Sequence, residues 1–207
     1  KITNIKPIVD ILSKKFDNNI ATNTDATDEI NTLFLKKEIF SNPKPTLLLK
    51  YLLKSISYDD PNCLILDFFA GSGTTGDAVI QLNAEDGGNR KYILVQIAEP
   101  IDPNKNKAAY DFVKDELKAE PTIFEICKER LIRAAKKIKE ETIDKKITEK
   151  EKELQQLQSE LNLEERDEKI NTLKQEIENL KNQDLGFKVF GTMPIWEDYD
   201  FEAETFD

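Results

Sequence analysis

Apolar residues fall along the chain in two rhythms. Asn62–Phe69 (NCLILDFF) and Lys91–Ile97 (KYILVQI) are short, nearly continuous apolar runs. Such runs fit strands buried on both faces of a parallel sheet. Between them AGSGTTGDAVIQLN reads as a glycine-rich turn opening a helix, and EDGGNR as a second turn. Strand, helix and strand within about forty residues make a βαβ unit, with a right-handed crossover expected.

Elsewhere the rhythm is helical. Pro43 and Pro45 hold the backbone extended, and a helix is expected just after them, with Thr46 as its cap and Leu48, Leu49, Leu52 and Leu53 as its apolar face. Pro121–Lys139 reads as a helix burying Ile123, Ile126, Cys127, Ile132 and Ala134, with basic residues at the end where the helix dipole favours them. From Asp144 to Gln183 the composition shifts to Glu, Lys, Gln and Leu. Leu154, Leu157 and Leu161 fit one heptad frame, and Ile170, Leu173, Ile177 and Leu180 a displaced one. A helical hairpin turning near Asn162–Asp167 is expected, because the chain must return for Leu185–Phe190 (LGFKVF), which reads as a third strand. Lys1–Lys37 opens with an amphipathic stretch, KPIVDILSKKF, then turns polar and reads as a linker.

These elements divide the chain into four parts: 1–38 as N-terminal helix and linker, 39–143 as the βαβ region, 144–183 as the helical hairpin or coiled-coil insertion, and 184–207 as a returning strand with an acidic tail. The fold class is α/β, a partial Rossmann-like parallel sheet of three strands with flanking helices.

Composition narrows what such a fold can do. Charged residues make up 34% of the 207 and hydrophobic residues 39%, which is globular material. No apolar stretch is long enough to span a bilayer and no signal peptide is evident, so a cytoplasmic location is expected. The first residue is Lys1 and the one methionine is Met193, so the chain is expected to be a segment of something longer. There is no histidine, which removes Ser-His-Asp and Cys-His catalysis. Cys63 and Cys127 lack metal-type spacing and read as buried, reduced thiols. The net charge of −10 argues against a DNA-binding surface, although Pro194–Asp207 alone carries six acids and no base.

The chemistry gathers at Asp67-Phe68-Phe69-Ala70-Gly71-Ser72-Gly73-Thr74-Thr75-Gly76, a GxGxxG pattern directly after a strand and opening a helix. Glycines there let backbone approach a ligand, and the helix N-terminus offers free N–H groups to a negative group. Glu99, closing the second strand, is placed to accept hydrogen bonds from ribose hydroxyls. A nicotinamide cofactor fits this much, and so does a turn that merely packs helix on strand.

DFFAGSGTT resembles motif I of the amino-group DNA methyltransferases, and Phe40-Ser41-Asn42-Pro43-Lys44-Pro45 resembles their motif X, which precedes motif I in the circularly permuted class. AVIQLNAEDGGNRKYILVQIAE, TIFEICKERLIRAAKKI and LGFKVF are similar to the modification subunits of type III restriction systems, which methylate adenine N6. The resemblance implies S-adenosylmethionine as cofactor. Asp67 and the backbone of Phe68, Phe69, Ala70, Gly71, Ser72 and Gly73 would hold its methionine end. Ser72, Thr74 and Thr75 would supply hydroxyls and N–H donors, and Asn42, Lys44 and Pro45 would close over the same end, with Lys44 toward the carboxylate. Glu99 would take the ribose. Alternatively Asp67 caps the loop, Lys44 is a surface lysine, and Phe68 or Phe69 is core.

The D-P-P-Y tetrad that such enzymes use on adenine is absent from this sequence. Asp59-Asp60-Pro61-Asn62 comes nearest, without the second proline or the aromatic. Catalysis is therefore not expected from this chain alone. The partners implied are DNA, engaged through another part of the enzyme, and a complementary methyltransferase half, a second copy or a restriction subunit. The rival functions are a nicotinamide-dependent oxidoreductase and a non-catalytic coiled-coil interaction protein.

Overall fold

A computed structural model describes residues 21–159 and 166–192. The amphipathic stretch KPIVDILSKKF, residues 160–165 of the expected hairpin turn, and the acidic tail lie outside the described residues.

The segment expected to be a linker folds as helix α1 (Asn23–Phe34). A capping box starts it: the Thr22 hydroxyl accepts from the Asp25 amide at 3.3 Å and the Asp25 carboxylate accepts from the Thr22 amide at 2.7 Å. Ala26, Ile30 and Phe34, one face at four-residue spacing, are buried. The helix ends at Leu35, in the left-handed region at φ 55°.

Helix α2 (Thr46–Ile56) begins one residue earlier than expected. Pro45 occupies the cap position and Thr46 the first turn. Of the expected apolar face only Leu53 is fully buried; Leu48, Leu49 and Leu52 are half-buried.

Strands β1 (Leu64–Asp67) and β2 (Lys91–Leu94) pair in parallel, with Leu64 opposite Lys91, Leu66 opposite Ile93 and Asp67 opposite Leu94. Helix α3 (Thr74–Asp86) connects them and lies against one face. Ile65 and Tyr92 on that face pack with Leu53, Ala78, Val79 and Leu82. The other face is bare: Leu64, Leu66, Ile93 and Val95 are 60, 49, 48 and 44% exposed. The expectation of strands buried on both faces is thus corrected among the described residues, because their helices cover only one side of this sheet.

Helix α4 (Lys107–Asp111) widens into a π turn over Phe112–Glu116. Helix α5 (Ile123–Ile138) is capped by the Thr122 hydroxyl and passes through a second π turn, Lys139–Ile143, into α6 (Asp144–Ser159). Ile126, Cys127 and Ala134 are buried as expected, but Ile132 is 48% exposed and Leu131 takes its place. One core joins α1, α4 and α5 through Ile30, Phe34, Phe112 and Ile126, with the Phe34 and Phe112 rings edge-on at 5.5 Å.

Helices α6 and α7 (Arg166–Lys181) pack antiparallel, cross-linked by Lys150–Glu176 and Lys181–Glu151 ion pairs at 2.5 and 2.8 Å. Ile170, Leu173 and Ile177 are buried. Leu185–Phe190 forms no strand. Leu185 and Phe187 pack on Ile80, Leu131 and Ile138, while Val189 and Phe190 are exposed. The described sheet therefore has two strands and not three. Among the described residues no helix is long and apolar enough to cross a membrane.

Candidate cofactor-binding site

The glycine loop leaves the C-terminal end of β1 and is fixed by its own polar atoms. Asp67 accepts from the Phe69 amide at 2.9 Å and from the Thr75 hydroxyl at 2.6 Å, so both carboxylate oxygens brace the loop. The Ala70 amide donates to the Val95 carbonyl at 3.1 Å and the Gly73 amide to the Ala70 carbonyl at 2.8 Å. Gln96, which the sequence pattern did not single out, accepts from the Gly71 amide at 2.7 Å.

The glycines have separate roles. Gly71 and Gly73 stand at φ +56° and +81°, the left-handed region that glycine enters without steric cost. A β-carbon on Gly73 would lie 3.1 Å from the Cys127 sulfur and 3.2 Å from its carbonyl oxygen. One on Gly76 would lie 2.6 Å from Leu131, so this glycine lets α3 pack tightly against α5. The first-turn amides of α3 have no carbonyl four residues back inside the helix, as at any helix N-terminus.

The segment resembling motif X lies against this loop. Ile39 is buried, and the Phe40 ring edge lies 3.6 Å from where a Gly71 β-carbon would stand. Pro43 and Pro45 are buried, whereas Asn42 and Lys44 between and before them are exposed. Both Phe68 and Phe69 are exposed, at 63 and 89%, so neither is core. Glu99 is also exposed. It lies beyond the C-terminal end of β2, where its carbonyl accepts from the Ile123 amide at 2.9 Å. Asp59–Asn62 precedes β1, at the opposite end of the strand from the loop. Its Pro61 carbonyl holds the Asn89 amide at 2.9 Å.

Arg130 is the residue that sequence reasoning missed. It is fully buried, and all three of its nitrogens are engaged. Nε donates to Asp77 at 3.0 Å; Nη1 to the Ser72 and Thr74 hydroxyls at 3.1 and 3.0 Å; Nη2 to Glu29 at 2.7 Å and the Thr46 hydroxyl at 2.8 Å. The signal was present: Arg130 stands four residues from both Ile126 and Ala134, a cation in the middle of an apolar stripe.

Cys127 is buried beside the loop and Cys63 only half-buried; both are free. Burial pushes the Cys127 thiol up to about 11, against the pull of Arg130 and with a smaller push from Asp67. Burial likewise raises the Tyr92 phenol to about 12. Neither is an anion at neutral pH, so neither serves as a nucleophile there. A concavity between α1, α3 and α5, lined by Glu29, Asp77, Gln81, Glu85 and Lys137, includes none of the expected cofactor residues. The described residues hold no cluster of metal-ligating side chains.

A glycine loop at the C-terminal end of a parallel strand, opening a helix and flanked by a proline-rich segment, is the arrangement in which α/β folds commonly hold small ligands. The profile of the DNA methylase family matches residues 5–120, more than half of the chain, and the chain belongs to that family. Among curated relatives, the type III restriction-modification enzyme StyLTI Mod subunit of Salmonella typhimurium is 43% identical over 123 residues, which is 58% of this chain and 17% of that protein. The type II methyltransferase M.KpnI of Klebsiella pneumoniae is 46% identical over 86 residues, 41% of this chain and 19% of the relative. The type III restriction-modification enzyme EcoP15I Mod subunit of Escherichia coli is 36% identical over 113 residues, 54% of this chain and 16% of the relative. The chain thus spans less than a fifth of the length of the relatives it matches.

Proposed function

We propose that this chain is the S-adenosylmethionine-binding portion of a site-specific DNA adenine-N6 methyltransferase of a type III restriction-modification system, built on a partial Rossmann-like sheet. The observation that carries the proposal is the meeting of two distant segments: Phe40 covers Gly71, and one guanidinium reaches Thr46 at one end and Ser72 and Thr74 at the other. Identity of 43% to a Mod subunit supports the type III assignment.

The residues fit the cofactor. Its methionine carboxylate needs donors, and the first-turn amides of α3 and the exposed Lys44 are of that kind. Ser72 and Thr74 would contribute through backbone N–H groups, since their hydroxyls already serve Arg130. Asp67 acts by holding Phe69 and Thr75 in place. Glu99 is a free carboxylate for the ribose hydroxyls, and Asn42 and Pro45 complete the proline-rich side. The bound cofactor supplies an electrophilic methyl group.

This chain lacks a D-P-P-Y tetrad, so the group that receives adenine belongs to another part of the enzyme. That part, a complementary half or the remainder of a longer polypeptide, would also make the contact with DNA, and a restriction subunit is the further partner. Calorimetric titration with S-adenosylmethionine, S-adenosylhomocysteine and NAD tests the assignment. Both adenosyl compounds should bind, and each variant should weaken them by about tenfold or more: Glu99→Ala by the loss of roughly one charged hydrogen bond to the ribose, Asp67→Ala by loosening the loop it braces. Binding of NAD alone would overturn the proposal in favour of an oxidoreductase.

A further inference from the structure

We infer that Arg130 is a positioning residue that couples the proline-rich segment to the glycine loop, so that loosening either end loosens the other. An arginine has five N–H donors in a rigid fork. Here they are divided among three places: Asp77 with Ser72 and Thr74 at the loop, Glu29 on α1, and Thr46 at the start of α2.

The two ends of the fork fall at informative positions. Ser72 stands between Gly71 and Gly73, the two loop residues with positive φ. Thr46 directly follows Pro45, which provides no side-chain cap for α2. Glu29 supplies that cap instead, accepting from the Thr46 amide at 3.1 Å and from the Thr46 hydroxyl. Because Arg130 binds the same carboxylate, the entry of α2, and with it Pro45 and Lys44, is set by the guanidinium that also sets the loop.

Stability alone does not account for this arrangement. A buried ion network contributes little over well-packed apolar side chains of the same volume, because desolvation offsets the Coulomb gain. A leucine at 130 would continue the apolar stripe of Ile126 and Ala134, yet it would leave the loop and the proline-rich segment without a shared anchor. Fixing their relative register is what the arginine adds.

This inference rests on the cofactor reading only for its effect on affinity; the coupling is measurable without ligand. The experiment is amide hydrogen exchange on the full chain carrying Thr46→Val, a milder change than removing a buried arginine. Exchange should quicken about fivefold both at residues 46–49 and at residues 69–75, although Thr46 lies outside the loop. Ser72→Ala should act reciprocally and quicken residues 46–49. Arg133→Gln serves as the control on the same helix. Arg133 binds the Phe34 carbonyl and Glu129, so its loss should leave residues 69–75 unchanged. Local effects in both Thr46→Val and Ser72→Ala, each confined to its own segment, would overturn the coupling. Where wild type binds S-adenosylhomocysteine, Thr46→Val should weaken it about fivefold at temperatures well below melting. A wild type that binds no adenosyl ligand would sink the cofactor reading and leave the exchange result to decide the coupling.

Discussion

Gly73 shows how tightly single positions constrain the loop. Its φ of +81° is unfavourable for any residue with a β-carbon, and that carbon would press on both the sulfur and the carbonyl of Cys127. The carbonyl belongs to the backbone of α5 and cannot turn aside. Gly73→Ala is therefore expected to cost about 2 kcal/mol of unfolding free energy from backbone strain and crowding together. Chemical denaturation would measure it, and a loss under about 0.5 kcal/mol would mean that the loop relaxes freely. At this scale the glycines were legible in the sequence, because glycine enters the positive-φ region without the steric cost a β-carbon brings. Arg130 was legible only as an anomaly: a pattern of apolar spacing marks where a side chain is buried, not which partners from other elements surround it. Its partners Glu29, Thr46 and Asp77 lie 101, 84 and 53 residues away.

At the scale of elements, the helices and strands that the sequence announced are those whose own rhythm is strong. The runs that became β1 and β2, and the stripe of α5, carry enough apolar residues to stand out. Helix α1 does not, since NTDATDEINTLF has only a narrow buried face of Ala26, Ile30 and Phe34. Its order comes from the Thr22–Asp25 capping box and from packing on α5. It also comes from Arg133, which donates to the Phe34 carbonyl at 2.9 Å and lies 5.1 Å from the Phe34 ring centre. Tertiary contact overrode weak propensity there. Leu185–Phe190 failed in the opposite sense. Its alternation is real, with Leu185 and Phe187 turned inward, but no described strand lies alongside to form a ladder. If α1 is an integral part of the core, Ile30→Ala should cost about 3 kcal/mol, the usual range for emptying a fully buried aliphatic site. Thermal melting of the variant would show it, whereas an unchanged melt would return residues 23–34 to the status of a linker.

For the whole molecule, the consequential feature is the imbalance between the two faces of the sheet. Three helices, α2, α3 and α5, gather on one side, and the other presents Leu64, Leu66, Ile93 and Val95, with Phe68, Phe69 and Ile97 beyond the strand ends. A contiguous apolar surface of this kind marks a place where something packs. The paired residues Leu66 and Ile93 sit at its centre. In the chain alone they are in contact with water, so Leu66→Thr with Ile93→Thr should change the unfolding free energy by no more than about 0.5 kcal/mol. Threonine is β-branched, as Ile93 is and Leu66 is not, so neither change lowers strand propensity and propensity is removed as a competing cause. The same pair of changes should lower concentration-dependent association, read by sedimentation. It should also reduce uptake of a hydrophobic dye. A fall of several kcal/mol would mean instead that this face is covered within the chain in solution. The experiment thus separates two origins of incompleteness. Stability held and association lost would place the missing contacts outside this chain.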